Sequence, residues 1–187
     1  MAEQRAQWPE RVASLGWSGL VFVDESGANL QMTRRYGRSP SGQRLLGRVP
    51  QGHYLTATLI AAMGCRGSSA PWIFEGAMDG EMFLAWVRVG LVPTLCRGQT
   101  VILDNLATHK VAGVRQAIEA TGAGLEYLPP YSPDFNPIEP MWSKVKQGLK
   151  SREPRNARQL VKAASAAFAT VTPADCQGFF LNAGYAA

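Results

Sequence analysis

Three acids in this sequence stand where carboxylates do metal-assisted chemistry. "LVFVDES" places Asp24 after Leu20, Val21, Phe22 and Val23, and "VILDN" places Asp104 after Val101, Ile102 and Leu103. Unbroken apolar runs of this length read as strands buried on both faces. A carboxylate delivered by such a strand is costly to desolvate unless it is paired or holds a metal. Asp24 and Asp104 each close their strand, and the carboxyl ends of strands are where α/β sheets bind ligands. Glu139 is the third acid, at the start of the helical stretch "IEPMWSKVKQGLK". Three hard oxygen ligands without a His or Cys cluster suit Mg²⁺ or Mn²⁺. Two such ions would activate a water and stabilise a leaving 3′ oxygen in in-line phosphodiester chemistry. Asp24 takes the bridging position in this reading, with Asp104 and Glu139 each holding one ion.

A structural role competes for Glu139. With Asn136 as N-cap and Pro137 first in the helix, its carboxylate would reach back to the Asn136 N–H. The helical wheel argues for more. At about 100° per residue, Ile138, Met141, Trp142, Val145 and Leu149 share an apolar arc, and Glu139, Ser143, Lys146 and Lys150 share the next stripe. A cap needs no lysines behind it; a carboxylate holding a metal against a phosphate does. The preceding "YLPPYSPDFNPIEPMW" carries Pro129, Pro130, Pro133, Pro137 and Pro140. So stiff a strut loses little entropy on ordering and sets where the helix begins. Both roles stay open on local sequence alone.

The elements that must position these acids follow in order. A helix is expected over 3–15, then the strand of Asp24 (20–26). "NLQMTRRY" reads as a second, more exposed strand, and "GRSPSGQRLLGRVPQG" as a loop. Further strands are expected at 53–63 and 71–78. Met82, Phe83, Trp86 and Val89 have helical spacing behind an acidic start. The strand of Asp104 (99–105), a helix ended by glycine, the short strand "GLEYLP", the Glu139 helix and two helices near 156–170 and 173–183 complete the chain. This is an α/β domain, a mixed sheet with helices packed on it.

The chain has 187 residues, 46% of them apolar and 18% charged, enough for one domain with a sizeable core. No apolar run has the length of a membrane span, and "MAEQRAQWPERVASL" lacks a secretory pattern. Cys65, Cys96 and Cys176 show no CxxC spacing and read as small core residues of a reducing compartment. The net charge of +5 is concentrated. Arg34, Arg35, Arg38, Arg44 and Arg48 fall in one acid-free stretch. Lys144, Lys146, Lys150, Arg152, Arg155 and Arg158 surround only Glu153. Two basic patches point to a polyanion, nucleic acid first.

"FVDESG", "VILDNLATHK" and "YLPPYSPDFNPIEPMWSKVK" resemble the catalytic core of DDE transposases, in particular the bacterial insertion-sequence branch of the mariner-like superfamily. Glu139 lies 35 positions after Asp104, a spacing typical of that branch, and "RRYGRSPSGQR" is similar too. The resemblance runs from about Leu20 to "FLNAGY". It implies a ribonuclease-H-like fold and a metal-binding triad of Asp24, Asp104 and Glu139. It implies metal-dependent DNA cleavage and strand transfer in cut-and-paste transposition of an insertion sequence. Water cuts first, and the freed 3′ hydroxyl then attacks target DNA, commonly at TA. A homodimer on paired DNA ends is expected, in the bacterial cytoplasm at the nucleoid.

One catalytic domain is expected over 1–187, with its core at about 18–151 and C-terminal helices at about 156–184. The family's helix-turn-helix domains are expected to be absent, because only 23 residues precede Asp24. A separate N-terminal DNA-binding half is then a possible partner. Two alternatives stay open: another ribonuclease-H-like nuclease, and an inactive or regulatory transposase remnant.

Other residues have plainer expectations. Asn105 and His109 support the triad from behind. Glu25 points to the opposite face from Asp24 and is structural. Arg34, Arg35, Arg38, Arg44, Lys110, Lys146 and Lys150 are candidate DNA contacts. Tyr131 and Phe135 pack the strut against the core rather than stack on bases. Trp72, Trp86 and Trp142 are core, and His53 has no evident partner.

Overall fold

The computed structural model describes residues 2–34, 36–47 and 55–185. Arg35, Arg48 and His53 lie outside the described residues. Helix α1 (Ala2–Leu15) leads into β1 (Leu20–Asn29), β2 (Thr56–Gly64) and β3 (Gly67–Glu75). Then come α2 (Gly80–Trp86), β4 (Thr100–Leu103), α3 (Val114–Glu119) and β5 (Gly124–Tyr127). The chain ends in α4 (Ile138–Arg152), α5 (Ala157–Phe168) and α6 (Pro173–Asn182).

The five strands form one sheet in the order β3-β2-β1-β4-β5. β1, β2 and β3 run antiparallel, while β4 and β5 run parallel to β1. Alternation along β1 divides the core. Leu20 and Phe22 face α1, α4, α5 and α6, whereas Val21 and Val23 face α2 and α3. The same alternation sends Asp24 toward α4 and Glu25 toward the other layer. On α4, the expected arc of Ile138, Met141, Trp142, Val145 and Leu149 is buried.

Four details differ from expectation. Asp24 does not close its strand. β1 continues along β2 to Asn29↔Thr56, while its parallel ladder with β4 stops at Phe22↔Ile102. Asp24 therefore lies where β1 parts from β4, next to the carboxyl end that carries Asp104. Within "NLQMTRRY", Asn29 ends β1 and residues 30–34 form no strand. The Asn29 side chain accepts from Gln31 N at 3.0 Å and turns the chain out of the sheet. The helix after Asp79 is regular only to Trp86; it loosens over Val87–Leu91 and ends in a tight turn at Val92–Thr94, where Pro93 removes a donor. Its buried side is Phe83, Trp86 and Val87, and Met82 and Val89 are exposed. Cys65 and Cys176 are buried, but Cys96 is exposed in the turn before β4. Among the described residues no helix is long and apolar enough to cross a membrane.

Candidate active site

Asp24 is brought to its place by β1, the central strand of the sheet. Burial, joined by the nearby charges of Glu25, Glu139 and Asp104, pushes its carboxyl up to about 7. Its one side-chain partner among the described residues is Trp142, whose Nε1 donates to Asp24 Oδ2 at 3.2 Å. Trp142 is core, as expected; its hydrogen bond to Asp24 was not.

Asp104 follows the last residue of β4. Its Oδ1 accepts from the Leu106 N–H at 3.0 Å, a local turn that sets the side chain. His109 Nδ1 stands 2.5 Å from the same oxygen, as an ion-pair contact rather than an aligned hydrogen bond. His109 Nε2 bonds Glu25 Oε2 at 3.0 Å. The imidazole is fully buried, with its ring 4.4 Å from that of Phe83. Burial opposes its charge, but Asp104 and Glu25 outweigh burial and push it up to about 9. For Asp104, burial favours the neutral form, yet His109 and the Leu106 N–H hold the carboxyl below the usual range. Glu25 thus does lie on the far face of β1, where it anchors His109 behind Asp104. Asn105 Nδ2 donates to Leu128 O at 2.8 Å, joining the ends of β4 and β5.

Glu139 is not a helix cap. Pro137 occupies the N-cap position without a side-chain bond, and the Asn136 N–H donates instead to Pro133 O at 3.0 Å. The Glu139 carboxylate is left exposed in the cleft. Two ties hold the strut that leads to it. Arg5 of α1 bonds both carboxylate oxygens of Asp134, at 3.0 and 2.8 Å, and also Tyr131 O and Ser132 Oγ. Tyr185 Oη donates to Phe135 O at 2.5 Å and accepts from Trp8 Nε1 at 2.8 Å. Phe135 packs on the core as expected, but Tyr131 does not: it is 87% exposed. No local signal marks Arg5, whose partners lie more than 120 positions away. Trp142 was within reach of the helical wheel, three positions after Glu139 and beside its stripe.

Asp24, Asp104 and Glu139 line one cleft of about 610 Å³, together with Asn105, Lys110, Tyr131 and Asn136. The three acids share the space without closing on one another. Among the described residues no group of three His, Cys, Asp or Glu side chains is already gathered into a metal cage. The donor set is still that of a hard cation, and the carboxylate charges that add to burial in raising Asp24 would be balanced by one. Asn136 Oδ1 is buried with no partner among the described residues, one more oxygen acceptor at this wall.

The candidate DNA contacts fall into three settings. Lys110 lines the cleft. Arg34, Lys146 and Lys150 line a second groove of about 1030 Å³ along α4. Arg38 and Arg44 are exposed on the connection after β1. Two cations of the basic patches are internal ties instead: Lys144 pairs with Asp175 at 2.5 Å, and Arg155 with Glu153 at 2.8 Å.

Known proteins match both the sequence and the fold. The transposable element Tcb1 transposase of Caenorhabditis briggsae is 26% identical over 190 residues, covering 89% of this chain and 66% of that protein. The Mos1 transposase paired-end complex with left transposon end superposes with a TM-score of 0.73 at 12% identity, over 97% of this chain and 57% of that one. The catalytic domain of Mos1 mariner transposase gives 0.66 at 14% identity, over 97% and 85%. The chain thus spans under two thirds of the full-length relatives, and the structural matches establish the ribonuclease-H-like fold. The sequence pattern of the DDE superfamily endonucleases matches residues 19–161, which include all three acids of the cleft. The chain belongs to the DDE superfamily endonuclease family.

Proposed function

We propose that this chain is the catalytic domain of a mariner-like transposase of the bacterial insertion-sequence branch. It cleaves DNA strands at element ends and transfers the freed 3′ ends to target DNA, with TA as the target step. One observation carries this reading: Asp24, Asp104 and Glu139 come from a central strand, its parallel neighbour and a helix to line one cleft, with Glu139 released from any capping role. The Mos1 catalytic domain has been solved with Mg and with Mn. Here Asp24, Asp104 and Glu139 would hold Mg²⁺ or Mn²⁺, two ions in this reading. Bound, the ions supply an activated water and stabilisation of the leaving 3′ oxygen.

The other residues have definable tasks. His109 holds Asp104 in one orientation, fixed in turn by Glu25, and Trp142 orients Asp24. Asn105 locks the β4 and β5 ends that form the cleft floor. Lys110 meets a phosphate in the cleft. Arg34, Lys146 and Lys150 follow the DNA backbone along the second groove, Arg38 and Arg44 add to that contact from the connection after β1, and Arg35 belongs to the same basic stretch of the sequence. A homodimer on paired ends, a separate N-terminal half that recognises those ends, and a place at the nucleoid complete the proposal.

The test is Mn²⁺-dependent nicking of supercoiled plasmid. The wild-type chain nicks, and Asp104→Asn and Glu139→Gln each lose activity by roughly a hundredfold or more. Nicking that survives Glu139→Gln would sink the triad. Joining of a labelled 3′ hydroxyl end to plasmid separates a transposase from other ribonuclease-H-like nucleases, and absence of both reactions favours a regulatory remnant.

A further inference from the structure

Tyr131 has an unusual combination of properties. It is 87% exposed, on the rim of the cleft that the three acids line. Its backbone has φ +54°, the left-handed region disfavoured for a bulky side chain. Among the described residues two other non-glycines share a positive φ, and each has a local reason. Glu153 closes α4 at its C-terminus, and Ala70 lies where the β2–β3 ladder shifts register. Tyr131 lies in a turn with Pro130, a setting in which glycine or asparagine would ordinarily supply the positive φ.

Its strain is held in place by its neighbours. Arg5 Nη1 donates to Tyr131 O at 3.0 Å and to Ser132 Oγ at 2.8 Å while gripping Asp134. Pro129, Pro130 and Pro133 restrict φ on either side. The outcome is an aromatic ring kept in water beside the acids, when packing on the core would have removed its apolar area from solvent. Backbone strain maintained by several independent contacts is characteristic of functional positions.

The surroundings say what fits against the ring. Lys110 lines the same cleft, and Arg34, Lys146 and Lys150 line a separate groove along α4. Cations for phosphates beside a free aromatic face are the pattern that binds single-stranded nucleic acid, with bases stacked on the ring. A base inside a duplex has no free face, so the occupant is a base out of its pair near the scissile phosphate. We propose that Tyr131 is a stacking platform for an unpaired DNA base at the mouth of the cleft, a reading that rests on the DNA-cleaving function proposed above.

The experiment uses the full chain with Asp104→Asn, so that binding is read without cleavage. Two fluorescein-labelled duplexes are compared by anisotropy in Mg²⁺, one fully paired and one with a central mismatched bubble. The expected result is tighter binding of the bubble. Tyr131→Ala then weakens bubble binding roughly tenfold and paired-duplex binding by about twofold or less, while Tyr131→Trp retains the preference. 2-Aminopurine placed in the bubble is quenched by the tyrosine protein and not by the alanine variant. Alanine keeps the Cβ and the same left-handed backbone, so a melting temperature close to that of the parent verifies that the variant is folded. Unchanged bubble preference and quenching in Tyr131→Ala overturn the proposal and leave the cleavage reading intact, since DNA binding and wild-type nicking persist. Failure of every variant to bind either DNA overturns both. A change in sedimentation without a change in bubble binding also overturns it, and assigns the ring to a protein contact.

Discussion

Trp142 Nε1 donates to Asp24 Oδ2 at 3.2 Å, so the helix that carries Glu139 is hydrogen-bonded to the strand that carries Asp24. Trp142 is otherwise buried, with its ring 5.8 Å from that of Phe168. Trp142→Phe keeps most of that packing and removes the donor. The lost hydrogen bond is worth about 0.5–1.5 kcal/mol while Asp24 is protonated, which lowers the melting temperature by a few degrees in a chain of this size. The sharper readout is a Mn²⁺ titration of plasmid nicking. Its midpoint should rise roughly tenfold, as expected when a supporting partner of a metal ligand is lost. An unmoved midpoint would make the bond purely structural.

The raised carboxyl of Asp24 predicts how metal and pH act together. Its folded value of about 7 lies above the ordinary 3.8, so the fold favours the protonated form. Without metal, stability falls as pH rises from about 4 through 7, because the folded state must give up a proton it binds more tightly. Asp24→Asn removes that loss and makes the metal-free protein more stable than wild type at pH 8. Mg²⁺ raises the wild-type melting temperature more at pH 8 than at pH 5, where it competes with the proton. Thermal melts of both proteins at the two pH values check this. Equal Mg²⁺ shifts in wild type and Asp24→Asn would place the metal elsewhere.

His109 predicts a second window with its own sign. Its folded value of about 9 lies above the ordinary 6.5, so the fold favours the charged imidazolium between Asp104 and Glu25. That contribution is complete below about pH 6.5 and is lost as pH rises through 9. Its size is on the order of 3 kcal/mol. His109→Gln should flatten the urea midpoint across this window and lower it below pH 6.5. A wild-type midpoint that stays level from pH 6 to 10 would contradict the charged pairing.

The acids were legible because strand burial leaves a strong mark. Apolar runs before Asp24 and Asp104 have few readings other than central strands, and the prolines announce that Glu139 is placed with care. The mixed sheet and the buried face of α4 followed from the same patterns. What local sequence could not decide depended on distant partners. The capping reading of Glu139 failed because Pro133 O takes the Asn136 N–H, a choice made by the turn over Pro133–Phe135. β1 outlasts its apolar run because β2 pairs with it as far as Asn29. Tyr131 faces water because Arg5, far away in sequence, fixes its backbone. His109 turned out to join both layers, since Glu25 and Asp104 approach it from neighbouring strands.

Arg5 supplies the last prediction, because it links the first helix to the position of Glu139. It contacts Asp134, Ser132 and the Tyr131 carbonyl, and stands 4.9 Å from the Phe135 ring centre. These contacts are near the surface, and such pairs add little to global stability. Arg5→Ala should therefore leave the melting temperature almost unchanged. It should still loosen the strut whose far end starts α4, and small misplacements of a catalytic carboxylate are costly in rate. The expected result is a nicking rate at saturating Mn²⁺ reduced roughly tenfold, with faster protease cleavage within residues 129–135. Arg5→Lys should recover only part of the rate, since an ammonium cannot grip both Asp134 oxygens in a planar fork. Full activity and unchanged proteolysis in Arg5→Ala would mean that the prolines, together with the Tyr185 bond to Phe135, hold Glu139 unaided.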